Sequence, residues 1–478
     1  MQESTNTKRI AKNTLMLYLR QILVMLVSLY TVREVLNALG AEDYGIYNVV
    51  AGIVVFFTFV NYAMASGTQR FLNFFLGKGD KKKLQEVYSA SLLLHLAIVT
   101  LFIVLAETVG LWFIITKLNI PSERHFAAVW TYQLAVLTTV WGIMRIPYHS
   151  VVIAYEKMSF FAQLSVMEAI LKFGIALLLR IGRWDKLIFY SVLLCLVSFI
   201  MLIAYKLYCN KYFDIAHFVQ PQRRQLVGEI ASFSGWSLLG GVANVSCTQG
   251  TNVVLNMFTN VSLNAAMGIA NQVNSAVYGF VGNFQTAFNP QIVKSYADGE
   301  KDYFIKLICQ TAKLSFFLLL FMVVPLYINA DFVLNIWLKN VPEYSVAFVR
   351  LILIWSLIDS LNGPLWMSIQ ATGDIRNYQI IVSILIFANL PLSILAFYFG
   401  ANPLWILYIR IGLNIVITFW RVFFLRKRID LPAMQFIFDI IIKCTLVALS
   451  SFFISYLCST FFAGIKGFFI TCIVSVVF

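Results

Sequence analysis

The chain has 478 residues, 60% of them apolar or aromatic and 12% charged, with a formal net charge of +14 and a mean hydropathy of +0.80. A composition that apolar excludes a water-soluble domain and places the chain in a bilayer. The excess of Lys and Arg is spread over short polar segments instead of being gathered on one domain, which excludes nucleic-acid binding as its explanation.

A helix needs about 20 apolar residues to cross the hydrocarbon core, so this content supplies on the order of fourteen crossings. The hydropathy pattern predicts helices over 13–36, 44–68, 86–115, 126–153, 159–180, 186–208, 231–257, 262–288, 304–329, 345–369, 377–399, 403–425, 434–458 and 464–478. The first run is too long for a signal-peptide core and lacks a small-residue cleavage site, so it is read as a retained transmembrane helix. With a cytoplasmic N-terminus, nineteen Lys and Arg fall in the inner segments and eight in the outer ones, the bias that the positive-inside rule requires. The polar stretch between the first two helices, with Arg33, Glu34, Glu42 and Asp43, is then the first outward-facing turn. The final run ends at Phe478 without a basic tail, and the sequence is expected to continue beyond it. Seven cysteines lie mostly inside apolar runs with no C-x-x-C pair and read as small core residues.

The longest polar connection, Asn210 to Glu229, divides the chain almost in half. At an offset of about 219, Val35–Asn37 meets Val254–Asn256, Gly79–Lys82 meets Gly299–Asp302, and Ala154–Met158 meets Ala371–Arg376. Three short matches in one order predict a duplication. Six helices per copy is an even number, so the copies form a parallel repeat about an axis along the membrane normal. The expected organisation is an N-terminal lobe (1–209), a cytoplasmic linker (210–230), a C-terminal lobe (231–428) and two additional helices (429–478). The fold class is an all-α polytopic membrane protein of about fourteen helices in two six-helix lobes plus that appendage.

No phosphate-binding loop, H-E-x-x-H or G-x-S-x-G motif is present, the four histidines are scattered, and no loop is long enough to hold a catalytic domain. The chain is read as neither an enzyme nor a cofactor protein. What remains is charge inside the spans. Arg20, Arg145, Glu168, Lys172, Lys313, Asp359 and Arg410 sit seven or more residues from the nearest predicted helix end, and Arg70 sits near the inner end of the second helix. An intramembrane ion costs several kcal/mol unless it meets a partner or a watery cavity. Glu168 and Lys172, at i and i+4, can pair on one helix, as a structural tie or as part of a site. Arg20, Arg145, Lys313 and Arg410 have no acid at helical spacing and are expected to line a central cavity, with Arg70 at its mouth. The seventh and eighth helices are rich in Asn and Gln. Of these Asn252, Asn271 and Gln272 are candidates for contacting a hydroxyl-rich ligand, against the alternative of interhelical hydrogen bonds. Asp359, and less directly Glu168, are the carboxylates that could bind a proton or sodium ion.

Leu39–Val50 (LGAEDYGIYNVV), just after the first helix, and the inner loops AYEKM (Ala154–Met158) and QATGDIRNY (Gln370–Tyr378) resemble the signatures of a known family. That family is the polysaccharide transporters of the multidrug/oligosaccharidyl-lipid/polysaccharide exporter (MOP) superfamily, including Wzx-type O-antigen flippases. The resemblance covers nearly the whole chain. It implies two six-helix lobes that alternate between inward-open and outward-open states in the bacterial inner membrane. It also implies a substrate in the form of a polyprenyl-diphosphate-linked oligosaccharide, passed from inner to outer leaflet. The cations above suit the diphosphate of such a head group, and Asn and Gln suit its hydroxyls. An ion-coupled exporter of small amphipathic molecules from the same superfamily is the alternative. A non-transporting scaffold or polymerase accounts less well for the repeat.

Overall fold

The computed structural model describes residues 2–477 except 56–57, 118–120, 181–184, 221–223, 260, 339–340 and 462–463. Arg183, Arg223 and Lys339 lie outside the described residues, and the side chains of Lys8, Arg9, Lys12, Arg33, Glu42, Lys117, Arg224 and Lys466 are likewise not described. Among the described residues the protein is all helix and turn. Ten helices are long and apolar enough to cross a membrane, and the chain is a multi-pass membrane protein. The first, second, eighth and fourteenth predicted helices are not among these ten. Of the first, the apolar stretch with described side chains is Asn13–Ser28, and the polar residues of the eighth dilute its apolar run.

The chain divides into two compact units, 1–238 and 239–478. In unit 1, α1 (Gln2–Val55) holds a break at Gly40, whose φ of 80° only glycine adopts without strain. It is followed by α2 (Thr58–Gly77), α3 (Lys81–Leu105) and, through a π-turn at Ala106–Gly110, α4 (Leu111–Lys117). The unit continues with α5 (His125–Ala154), α6 (Met158–Leu178) and α7 (Lys186–Tyr212), and ends in the first turns of α8 (Arg224–Phe258). α5 packs along α7, α1 along α6, and α2 against α3 and α5. The core between them is built of small and branched residues such as Val50, Val99, Ala128, Val136 and Ile143.

The division falls inside α8 and not in the 210–230 connection. The start of α8 belongs to unit 1 because Phe233 packs edge-on against Phe71 and Ser234 lies against Gly67 of α2. The connection is itself fixed to α3: Gln85 donates to the His217 carbonyl (3.2 Å), the Val219 N–H donates to Ser89 Oγ (2.9 Å), and Phe213, Ile215 and Ala216 are buried.

Unit 2 contains the rest of α8, then α9 (Val261–Asp298), α10 (Lys301–Ile328), α11 (Ala330–Trp337), α12 (Ser345–Ser360), α13 (Asn362–Thr372), α14 (Arg376–Tyr398) and α15 (Trp405–Ile429). The predicted thirteenth and fourteenth helices appear as α16 (Ala433–Phe436), a π-turn at Ile437–Ile442, α17 (Lys443–Phe461) and α18 (Gly464–Val477). α9 packs against α10, α12 and α13, while α17 and α18 pack on each other and on α10.

The two units make the same turns at corresponding places. Gly79 after α2 and Gly299 after α9 have φ of 66° and 78°, and Glu156 after α5 and Gly373 after α13 have φ of 55° and 81°. At Gly79, Gly299 and Glu156 the following N–H reaches back five residues (Asp80 to Phe75, Glu300 to Ser295, Lys157 to Val152), a Schellman closure that satisfies the last carbonyls of the helix. Both pairs of turns fall within the sequence matches noted above.

The turn carrying the Leu39–Val50 signature is tied down by ions at one end of unit 1. Arg124 donates to both oxygens of Asp43 and to Asp185, Arg180 pairs with Glu34, and Lys186 donates to the Ala38 carbonyl (3.1 Å). Asp185 also caps α7 by accepting from the N–H groups of Leu187 and Ile188. Burial of the Asp185 carboxyl alone would raise its pKa. The Arg124 hydrogen bond and the cap outweigh that and hold it below the ordinary aspartate value.

Candidate functional site

Each unit carries a polar cluster within its spans. In unit 1, Arg145 of α5 donates through Nη1 to Glu168 Oε2 of α6 (3.0 Å), and Lys172 donates through Nζ to Glu168 Oε1 (2.8 Å). Arg145 is therefore not an unneutralised cation, as its own helix suggested: its acid stands on the neighbouring helix. The expected Glu168–Lys172 pairing is present, with a third member added. The guanidinium of Arg145 lies 5.8 Å from the ring centre of Tyr205 on α7. One turn along α5, His149 packs edge-on against Tyr205 and against Phe161 of α6 (5.8 and 5.1 Å). Arg20 of α1 stands over the other ring, 4.8 Å from the centre of Phe161, and donates to Gln21. Four helices thus meet in one chain of cations and rings. Face-on contact attracts a guanidinium without using its N–H donors.

In unit 2 the site is built around the break between α12 and α13. Pro364 has no N–H, so the Ser360 carbonyl one turn earlier lacks its helical partner. That carbonyl instead accepts a hydrogen bond from Gln285 Nε2 of α9 (3.2 Å). Gly363 makes room for the amide: a Cβ there would lie 2.3 Å from Gln285. Beside the break, Asp359 accepts from the Tyr278 hydroxyl (3.0 Å) and from Asn362 Nδ2 (3.3 Å). Asn362 extends the network to Asn414 Oδ1 (3.1 Å) and accepts from the Thr418 hydroxyl (3.1 Å), both on α15. Arg410, one turn before Asn414, lies 4.1 Å over the ring of Trp355 and close enough to Asp359 to act on it electrostatically. The result is one carboxylate, two buried amides, a buried hydroxyl and an arginine held on an aromatic face.

The remaining candidates lie elsewhere. Lys313 is exposed on α10 near Phe317, and the acid and thiol its charge reaches are Asp439 and Cys444, so it stands with the C-terminal helices and outside the Asp359 cluster. Arg70 is only 7% exposed, with its guanidinium 4.5, 4.9 and 5.6 Å from the rings of Phe71, Phe74 and Phe233. Asn252, Asn271 and Gln272 lie on α8 and α9 but make none of the hydrogen bonds of the Asp359 cluster described above. The α9 residue that reaches the carboxylate is Tyr278, which the polarity of the sequence alone did not mark. Asn362, Asn414 and Thr418 were also missed; the Asn-Gly-Pro run at 362–364 was the signal that could have found the first of them.

No protein-family profile matches the chain, and no curated protein sequence matches it. Solved structures do. An outward-facing multidrug resistance MATE family transporter of the MOP superfamily superposes with a TM-score of 0.71 at 14% identity, covering 88% of this chain and 96% of its own. A MATE protein in the bent conformation gives 0.71 at 15%, covering 89% and 96%. A MOP superfamily transporter from Pyrococcus furiosus, described by the reverse polarity of its binding pocket, gives 0.70 at 14%, covering 88% and 96%. The chain is thus a polytopic helical membrane protein with the MATE-like fold. At these identities the likeness concerns the fold alone.

Proposed function

We propose that this chain is a flippase of the bacterial inner membrane, with its N-terminus in the cytoplasm, that moves a polyprenyl-diphosphate-linked oligosaccharide from the inner to the outer leaflet by alternating access. The observation that carries the reading is that both polar clusters combine an arginine held on an aromatic ring with hydrogen-bonding groups, inside a transporter-like fold. A diphosphate with an attached glycan asks for that combination: charge-assisted donors for the anion, and amides and hydroxyls for the sugar. Arg20, Arg145 and Arg410 are the proposed anion contacts, and Asp359 is the proposed proton or sodium site. Lys313, beside the C-terminal helices, and Arg70, enclosed by three rings, are assigned no contact with cargo. Asn252, Asn271 and Gln272 are kept as proposed contacts to the glycan.

The test is restoration of surface polysaccharide in a flippase-null strain. Arg20→Ala and Arg410→Ala, each produced in normal amount, should weaken head-group binding about tenfold to a hundredfold by loss of a charge-assisted hydrogen bond, and should lower the polysaccharide made. Full restoration by both variants and by Arg145→Ala would overturn the cationic mechanism. A second reading, an ion-coupled exporter of small amphipathic molecules, is favoured by the likeness to a multidrug resistance transporter. It predicts that the chain lowers sensitivity to amphipathic cations and leaves the flippase-null strain unrepaired.

A further inference from the structure

We infer that the diphosphate is taken within unit 1, at Arg20, Arg145 and Lys172, and that Glu168 is a tethered counter-anion that holds this site between cargoes and must be displaced by the incoming phosphate. The inference rests on the flippase reading for the class of its ligand.

The geometry supplies the reasons. Glu168 uses one oxygen for Arg145 and the other for Lys172, so it bridges two cations as a phosphate group would. Arg145 gives it one hydrogen bond of the five a guanidinium can donate, and a phosphate can take two in parallel. The charges of the group do not balance. In the bonded triad Arg145 and Lys172 are two cations and Glu168 is one anion, which leaves one positive charge among these three side chains. A diphosphate diester carries two negative charges, which match the two cations Arg145 and Lys172 once Glu168 is displaced. Arg20, Arg145 and Glu168 all lie close enough to Tyr205 to act on it electrostatically, so the anion would meet them around one ring.

Access points the same way. The side chains of Arg145, Glu168 and Lys172 are 30%, 25% and 46% exposed, whereas an ion pair serving only to join helices within a bilayer is better sealed from both lipid and water. The cation–π contacts to Phe161 and Tyr205 hold both arginines in place when Glu168 leaves. A carboxylate that competes for the same donors weakens cargo binding, and it also returns to neutralise the cations as cargo departs. That arrangement favours release over retention.

The test uses the full chain in lipid nanodiscs with inorganic pyrophosphate as the probe, titrated calorimetrically at low ionic strength. Glu168→Gln keeps the shape and removes the charge. It should tighten pyrophosphate binding about tenfold or more, and Arg145→Ala in the same background should abolish the gain. Unchanged or weaker binding in Glu168→Gln overturns the inference. Should that variant fail to fold, the unmodified protein answers the question: pyrophosphate should raise carbodiimide labelling of Glu168, mapped by mass spectrometry, because the displaced carboxylate loses both cations. Lower or equal labelling overturns the proposal. Tighter pyrophosphate binding in a chain that fails to restore polysaccharide would keep the anion site and sink the flippase reading. Restored polysaccharide with no effect at Glu168 would do the reverse.

Discussion

At Gly363 a missing side chain decides the local structure. The Gln285 amide occupies the space a Cβ would take and satisfies the Ser360 carbonyl that Pro364 leaves without a helical donor. Alanine there gains helix propensity, worth about 1 kcal/mol against glycine, but drives the amide off a buried carbonyl, which costs about 1–3 kcal/mol. The second effect should win because Gln285 is itself 9% exposed and has little room to move. Gly363→Ala should therefore lower the thermal midpoint in detergent, and shortening the amide in a Gly363→Ala/Gln285→Ser double variant should recover part of the loss. A double variant no better than Gly363→Ala would place the strain elsewhere. Similar reasoning explains why the partner of Arg145 was not legible in the sequence. Spacing along one helix shows i, i+4 pairs such as Glu168 and Lys172. It carries no record of which acid a neighbouring helix presents.

The helices themselves were largely legible, since a bilayer imposes an apolar run of fixed length. Their ends were not. α8 begins at Arg224 and α9 runs to Asp298, beyond the predicted 231–257 and 262–288, because hydrogen bonding continues past the hydrocarbon while hydropathy reports only what lies inside it. The ends are set by caps and glycine turns, and these can be tested apart from packing. A Cβ on Gly79 or Gly299 meets nothing within 4 Å, so alanine should cost only backbone strain, about 1 kcal/mol at each, with an equal effect in the two units. Chemical denaturation in mixed micelles would measure it, and a neutral result at both would show that the φ of 66° and 78° relaxes without cost. The cap of α7 gives a pH signature. Asp185 is held below its unfolded value, so its contribution is complete above the ordinary carboxylate range, near pH 4, and disappears as pH falls through the lower folded value. Melting temperatures between pH 6 and 2 should fall less steeply in Asp185→Asn than in the unmodified protein. Parallel curves would remove Asp185 from the acid-sensitive set.

For the whole molecule the proposed function raises the question of what would drive transport, since the sequence carries no nucleotide-binding motif. The Asp359 cluster supports an answer through its makeup. The carboxylate stands at the C-terminal end of α12, where helix carbonyls make the local potential negative, and it accepts from Tyr278 and Asn362, with Asn414 and Thr418 bonded to Asn362 in turn. An oxygen-rich cluster with one acid suits a proton or a sodium ion. Arg410 works against it: a cation bound at Asp359 raises the positive charge beside that guanidinium, and an anionic part of the cargo that reached Arg410 would lower it. By linkage, each ligand then changes the affinity of the other by the same factor. Asp359→Asn keeps the shape, can still accept from Asn362, and removes the charge. In proteoliposomes it should transport at a rate that no longer responds to an imposed proton or sodium gradient, while retaining flux down a cargo gradient. If its flux follows the imposed gradient as steeply as that of the unmodified chain, the coupling carboxylate is elsewhere, and Glu168 becomes the residue to test.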